Sequence, residues 1–257
     1  MEDLKFNALM KNNNLNIELY LLCFNEEKII LHTLNYYSKF CSKIIIIDNE
    51  STDNSRNIIA DYNHNIEIRT LKTGGQYRED LLMETRNNCW KGSSADFVIV
   101  CDMDELIYHE NLVLELAKAK EKKIKIPVTI GYNMIGSNFP DNYKIPLTDQ
   151  VKHGIRDRMF DKNIIFNPKE ITEMNYGPGS HTCSPQFKDE NIIDELLELK
   201  LLHFKYLDKE YLYNKHQLYA DRMSQLSRDK KHGFEYLLGN GYIDKFFSLS
   251  HYLIKVI

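Results

Sequence analysis

The 257-residue chain has no Cys-x-x-Cys pair. Its cysteines, Cys23, Cys41, Cys89, Cys101 and Cys183, are scattered and odd in number, so neither a zinc ribbon nor a disulfide framework is supported. Cys23 and Cys101 fall inside apolar runs and read as small buried hydrophobes. No apolar stretch approaches membrane-spanning length. Met1 to Phe6 lacks the basic region and apolar core of a signal peptide, so a reducing cytoplasm is expected. Charge of one sign is also missing: a net charge of −4 and a pI near 6.2 offer nucleic acid no attraction. Tryptophan is down to Trp90 alone, against 16 tyrosines, which suit polyhydroxyl ligands and amphipathic cores alike. What is present, 43% hydrophobic and 27% charged residues, is enough to build one large soluble domain around a real core.

Apolar runs alternate with helical patterns along the first half. Ile17 to Phe24 reads as a strand ending at Asn25-Glu26-Glu27, and a helix follows through Ile30, Leu34, Tyr37 and Phe40. Lys43 to Ile47 is a β-branched run of the kind that is buried on both faces. It stops at a turn-and-cap cluster, Asp48 to Asp53, ahead of a helix from Ser55 to Tyr62. Ile66 to Leu71 predicts a third strand, and Gly74-Gly75 breaks the chain before a helix from about Arg78 to Trp90. Phe97 to Cys101 predicts a fourth strand, and Leu112 to Lys122 the next helix. This rhythm predicts a mostly parallel sheet flanked by helices. Beyond Lys123 it changes. Ile124 to Met134, Arg158 to Phe160 and Ile164 to Phe166 predict strands grafted onto the same sheet, Leu196 to Tyr206 is apolar, and Glu210 to Leu226 predicts a long amphipathic helix. The expected division is 1–123 for a nucleotide-binding half, 124–206 for an acceptor-side half and 207–257 for a helical C-terminal extension.

Phe97 to Glu105 carries the sharpest chemical signal. A buried strand ends abruptly on Asp102, Met103, Asp104 and Glu105, and three carboxylates at one strand mouth repel each other without gaining packing. Mg²⁺ or Mn²⁺ would resolve the conflict, because hard oxygen ligands suit these ions and Mg²⁺ is commonly shared between carboxylates and a substrate phosphate. An acidic strand-to-helix turn capped by Asp102 or Asp104 is the plainer alternative. Open α/β sheets place ligands at the carboxyl ends of their strands, which favours function. Asp48 lies at that same edge, with Asn25 and Asp102. Its carboxylate is placed to accept from a base N–H or a ribose hydroxyl, or to close an Asx turn with Ser51, Thr52 and Asp53.

Three segments together, Cys23 to Glu27, Ile46 to Asp53 and Cys101 to Glu105, resemble in order and spacing the glycosyltransferases of GT-A fold, family 2 type. The resemblance covers roughly the first 110 residues. It implies a Rossmann-like α/β fold, a nucleotide-diphosphate-sugar donor, a divalent metal (Mn²⁺ or Mg²⁺) and inversion at the anomeric carbon. By the same resemblance Asn25 belongs to the nucleotide edge, Asp48 would contact the nucleobase, Asp102 the ribose or metal, and Asp104 would be the main metal ligand. Arg86 matches an Arg-Asn placed near the nucleotide, although a solvated helix residue would look the same. The second half resembles a less-studied branch, through Arg156-x-Arg158-Met-Phe, Gly177-Pro-Gly-Ser-His181 and Leu-Leu-His203-Phe-Lys-Tyr206 before a helix carrying Lys215 and Tyr219. The resemblance makes His203 a candidate to complete the metal shell, and a buried, backbone-bonded histidine is the alternative. Relatives often place an acid directly after the histidine corresponding to His181, where this chain has Thr182. That leaves His181 first and Asp157, Asp161 and Glu173 after it as candidate base for the acceptor hydroxyl. Arg156, Arg158 and Lys205 are candidates to neutralise the departing diphosphate.

The expected function is transfer of a sugar to a glycan or lipid-linked acceptor in bacterial surface polysaccharide biosynthesis, in the cytoplasm or at the cytoplasmic face of the inner membrane. The apolar tail Gly241 to Ile257 could rest on a membrane interface, but such tails more often pack on their own domain or on a partner. A nucleotidyltransferase would be expected to carry a glycine-rich basic loop after the first strand, and Cys23 to Glu27 is acidic and glycine-free. A non-catalytic sugar- or nucleotide-binding protein is the third reading, kept open by Thr182.

Overall fold

The computed structural model describes residues 15–189, 197–248 and 252–257. Met1 to Phe6 and Leu196, the first residue of the apolar run to Tyr206, fall outside that set. The first half is built from β1 (Ile17–Cys23), α1 (Ile30–Tyr37), β2 (Lys43–Asp48), α2 (Ser55–Asp61), β3 (Ile66–Thr70), α3 (Glu79–Asn88) and β4 (Phe97–Asp102). Its four strands are parallel, in the order β3-β2-β1-β4. Cys23 lies opposite Asp48 and Leu22 opposite Asp102, so the carboxyl ends of three strands finish level.

Strand periodicity divides the core in two. Leu19, Leu21, Ile44, Ile46 and Ile99 face one side with Leu34 and Tyr37 of α1, and Tyr20, Ile45, Ile47, Val98 and Val100 face the other with Trp90 and Phe166. The sheet is thus covered on both faces, which is why β2 reads as an unbroken isoleucine run rather than an alternating one. Each fully buried aliphatic side chain contributes about 1.5–3 kcal/mol to holding the layers together.

The second half adds β5 (Glu105–Tyr108), α4 (Leu112–Glu121), β6 (Val128–Ile135), the single turn α5 (Leu147–Gln150), β7 (His153–Arg156), β8 (Ile165–Phe166), β9 (Ile171–Glu173), β10 (Gln186–Phe187), β11 (Glu198–Tyr206), α6 (Lys209–Arg222), α7 (Gln225–Asp229), α8 (Asn240–Ser248) and β12 (Ile254–Lys255). Among its described residues, β8 alone joins the first sheet, antiparallel to β4. β9 and β10 pair with each other, and the remaining strands form a second five-stranded sheet, β12-β7-β6-β11-β5, instead of extending the first as expected. The two sheets are linked at the acidic strand mouth. After Asp102 the chain turns through Met103 and Asp104 and returns as β5, pairing antiparallel with β11 so that Glu105 lies opposite His203.

Local chemistry accounts for two other departures from the expected elements. Arg158 to Phe160 is a short 3₁₀ turn rather than a strand, because the Asp157 side chain accepts from the Met159 N–H and starts a helical turn. The long C-terminal helix ends at Arg222 rather than Leu226. There Met223 turns extended and pairs with Tyr77, the Tyr77 N–H donating to the Arg222 carbonyl at 2.7 Å, while Ser224 caps α7. The C-terminal tail packs on its own chain: Phe246 of α8 stacks on Tyr206 at 3.7 Å between ring centroids, and β12 pairs with β7. No helix among the described residues is long and apolar enough to cross a membrane.

Gly131 of β6 lets the 3₁₀ turn approach, since an added Cβ would run into the Cβ and carbonyl of Phe160. Gly131→Ala is expected to cost about 1–3 kcal/mol by overpacking. Urea unfolding measures this, and unchanged stability would mean that the turn moves freely.

Candidate active site

The acidic strand mouth is settled by protein cations, each carboxylate meeting a different one. Asp102 accepts from Arg86 Nη2 at 3.0 Å, Asp104 from Lys215 Nζ at 3.0 Å, and Glu105 from Lys162 Nζ at 2.5 Å. The three cations come from α3, from the loop before β8 and from α6. Burial raises the Glu105 carboxyl to about 7 despite Lys162, whereas at Asp104 burial is opposed by the charge and hydrogen bond of Lys215 together with Lys205 and the other neighbours, which jointly hold the group well below the usual carboxylate range. Burial likewise works to raise Asp102, but Arg86 keeps it low.

These residues line a cavity of about 490 Å³ at the carboxyl ends of β1 and β4. One wall is aromatic: Phe24, Tyr77, Tyr219 and Tyr236, with Tyr219 stacked on Tyr236 at 4.8 Å. Tyr211, Lys215, Tyr219 and Arg222 recur at helical spacing along α6, so one stripe of that helix faces this region. Lys215 also bonds Glu26 at 2.9 Å. Burial raises Glu26 to about 7, Lys215 opposing that shift. Lys205 lies over the Tyr236 ring at 4.9 Å with no carboxylate in ion-pair range among the described residues. The opposite wall is the turn at Gly177 to His181. Its Gly179, at φ +58, donates its N–H to Glu79 Oε1, the same oxygen that accepts from Arg86. A Cβ on Gly179 would come within 2.7 Å of the His181 ring, so glycine there both allows the backbone conformation and leaves room for the imidazole.

The hydrogen bonds fix both histidine tautomers. Asn133 donates its Nδ2 to Asp157 at 2.7 Å, so its Oδ1 is the acceptor facing His203 Nδ1 at 2.7 Å. His203 therefore carries its proton on Nδ1 and turns the lone pair of Nε2 toward Asp104 Oδ1, 3.7 Å away. Burial lowers the His203 pKa to about 3, so the ring is neutral and the contact is not an ion pair. Two lone pairs facing across 3.7 Å make a seat for a cation, with the asparagine orienting the imidazole from behind. His181 donates Nδ1–H to the Met159 carbonyl at 2.8 Å, which leaves Nε2 as the ring's acceptor, and burial lowers its pKa. Phe160 separates the two rings, stacked on His203 and edge-on to His181.

The family model for glycosyl transferase family 2 matches residues 19–180, well over half of the chain. The chain belongs to glycosyl transferase family 2. It is thus a glycosyltransferase that takes its sugar from a nucleotide-sugar donor. No curated protein matches this family 2 enzyme. Solved structures of similar fold include S. aureus TarS, at 15% identity over 92% of this chain and 73% of that one with a TM-score of 0.41. Another is glucosyl-3-phosphoglycerate synthase from Mycobacterium tuberculosis in complex with Mn²⁺, UDP and glucosyl-3-phosphoglycerate, at 17% identity with a TM-score of 0.33. The match to the synthase covers 51% of this chain and 48% of that one. Both likenesses are distant.

Of the residues singled out in the sequence, Arg86, Asp102, Asp104, Asp157, His181, His203 and Lys205 line the cavity. The expected metal ligands are not gathered into one cage: Asp104 and His203 face each other, Asp102 is turned to Arg86, and no group of three His, Cys, Asp or Glu side chains among the described residues is arranged to hold a metal ion. Asp48 and Asn25 are not on the cavity wall. Asp48 is fully buried, bonded to Arg56 at 2.5 Å and to the Ser51 N–H, while Asn25 accepts from the Thr52 and Asp53 N–H groups and ties the β1 and β2 turns together. The neighbouring Asn49 reaches the cavity instead. Asp161 pairs with Arg156 and Glu173 with Lys91, both away from it. Sequence reasoning gave no role to Glu26, Glu79, Lys162 or Lys215. The seven-residue spacing of Glu79 and Arg86 on one helix was a readable signal for Glu79, and Lys215 stood in the motif that follows Tyr206, but nothing local announced Lys162 or the partners of Lys215.

His203 should leave a signature in acid. Its folded pKa of about 3 lies below the ordinary 6.5, so the unfolded chain binds the extra proton, and the stability due to the neutral ring is present above pH 6.5 and lost as pH falls toward 3. Glu26 and Glu105, raised to about 7, act in the opposite sense between 7 and 4.5, so the comparison must be a difference. Between pH 6 and 4 the wild type is expected to lose about 2–3 kcal/mol more than His203→Gln. Parallel curves in denaturant titrations would show that folding does not lower the pKa of the ring.

Proposed function

We propose that the cavity holds the diphosphate and sugar of the donor, and that the protein transfers that sugar with inversion, in a metal-assisted reaction, to a hydroxyl of a glycan or lipid-linked acceptor. The observation that carries this reading is the pair of lone pairs on Asp104 and His203, facing each other within a pocket that also presents Lys205. Mg²⁺ or Mn²⁺ fits a site with few protein ligands, because such ions share carboxylates with substrate phosphates and waters. Asp104 and His203 would hold the ion, with Asp102 beside them. When bound, it neutralises charge on the diphosphate.

His181 is the proposed base. Its Nε2 is an acceptor on the cavity wall, and the lowered pKa keeps it unprotonated at neutral pH. It takes the proton from the acceptor hydroxyl as that oxygen attacks the anomeric carbon. The bond from that carbon to the diphosphate breaks, and Lys205 and Arg86 are placed to receive the departing charge. Asp157 is the second candidate: it lines the same wall, but both its oxygens already accept protein hydrogen bonds, from Asn133 and from the Met159 N–H. Arg156 is engaged with Asp161, which favours Lys205 over it as a diphosphate contact. Asp48 holds the turn that presents Asn49 to the donor. Residues 1–123 would serve the nucleotide, 124–206 the acceptor side, and 207–257 would close over the donor. Surface polysaccharide assembly in the cytoplasm, or at the cytoplasmic face of the inner membrane, is the setting that suits such a reaction.

Donor affinity and single-turnover transfer separate the roles. Asp104→Asn and His203→Ala are expected to weaken Mn²⁺-dependent nucleoside diphosphate binding by tenfold or more, about 1.4 kcal/mol. His181→Ala should keep that binding and lose about 10²–10⁴-fold in transfer. Normal transfer by His181→Ala, with loss in Asp157→Asn, moves the base to Asp157. Donor binding indifferent to Asp104 and His203 would overturn the site.

A further inference from the structure

Lys215 stands outside the segment that the family model matches, 19–180, yet its ammonium sits at the acidic strand mouth. Its Nζ is 3.0 Å from Asp104 Oδ2 and 2.9 Å from Glu26 Oε1, and all three side chains are less than a tenth exposed. Tyr211, one turn earlier on α6, brings its hydroxyl to 3.5 Å from both Lys215 Nζ and Glu26 Oε2. Asp104 thus divides its two oxygens, Oδ1 toward the lone pair of His203 and Oδ2 toward a lysine. A divalent ion on Asp104 would bring two positive charges close to a buried third, and like charges at such distances disfavour one another strongly where water is scarce. The conflict disappears if the ammonium has another anion to turn to, and a diphosphate entering the same cavity is one.

We propose that Lys215 is the resident counter-ion of the donor site. It balances Asp104 and Glu26 in the free protein, competes there with a divalent ion, and passes to the donor diphosphate on binding, so that metal and diphosphate enter together. This rests on the reading of the cavity as a donor site. Without the lysine, the carboxylates of Asp104 and Glu26 would lose the cation they share, and the uncompensated negative charge would draw a divalent ion to Asp104 more strongly. With it, the metal's affinity is low until the diphosphate arrives, and the two ligands raise each other's affinity by the same factor.

The test uses Mn²⁺ alone, followed by the electron paramagnetic resonance signal of the free ion, and inorganic pyrophosphate, which carries the diphosphate without a base. Lys215→Met is expected to bind Mn²⁺ alone about tenfold or more tighter than the wild type and to bind pyrophosphate in chelator about tenfold or more weaker. The factor by which pyrophosphate tightens Mn²⁺ binding should shrink accordingly. Lys215→Arg, which keeps the charge, should behave as the wild type. If Lys215→Met does not fold, Lys215→Met/Glu26→Gln removes one buried charge of each sign and is read in the same way. Mn²⁺ binding by the folded variant no tighter than by the wild type overturns the proposal. A wild-type protein that binds neither Mn²⁺ with pyrophosphate nor any nucleoside diphosphate overturns instead the donor-site reading beneath it.

Discussion

Charge pairing at the end of β4 is the constraint on which the rest of the structure depends. Asp102, Asp104 and Glu105 stand close together at a buried strand mouth, where isolated carboxylates could not remain ionised without large cost. Each is matched by a cation from a different part of the chain, Arg86, Lys215 and Lys162. Buried pairs of this kind add little net stability compared with apolar packing, but losing one partner typically costs about 3–5 kcal/mol, because a charge is left behind. The pairs therefore act less as glue than as a requirement: α3, the loop before β8 and α6 must all arrive for the strand mouth to be tolerated.

The same requirement arranges the chemistry. Arg86 reaches Asp102 and Glu79 at once, and Glu79 in turn holds the Gly179 N–H, so the turn bearing His181 is fixed relative to the acidic strand. On the other side Asp157, Asn133 and His203 form a chain of directed hydrogen bonds ending on the lone pair that faces Asp104. Side chains locked by their neighbours in this way need no reorganisation when a substrate arrives, the condition under which fixed dipoles and charges are most effective.

The first half of the fold was legible in the sequence, since its strands are buried on both faces and leave continuous runs such as Ile44 to Ile47. The second half was less so. β5 is four residues long and is stabilised by β11, almost a hundred residues later, so no local pattern could reveal it. The turn at Arg158 was misread because its apolar residues mimic a strand, while the deciding bond is made by the Asp157 side chain. In the site, strand-end carboxylates and the late histidine were visible because of where they fall in the chain. Lys162 and the partners of Lys215 were not, because a lysine's partner is a matter of three-dimensional proximity. Asp48, at the sheet edge as expected, is enclosed by Arg56 and its own turn, the arrangement of the Asx-turn alternative.

The extended residue Met223, where α6 stops, has a bearing on how the chain can be divided. Its pairing with Tyr77 fastens the end of that helix to the Gly74-Gly75 loop of the first half, and Arg222 stacks over Phe24 beside β1. A fragment ending near Tyr206 would keep every strand of the first sheet. It would also release the loop and leave Asp104 and Glu26 without their lysine, so that the shortened protein would carry surplus negative charge in its own interior. The segment that looks like an appendage in the sequence is thus the counterweight that lets the first half close.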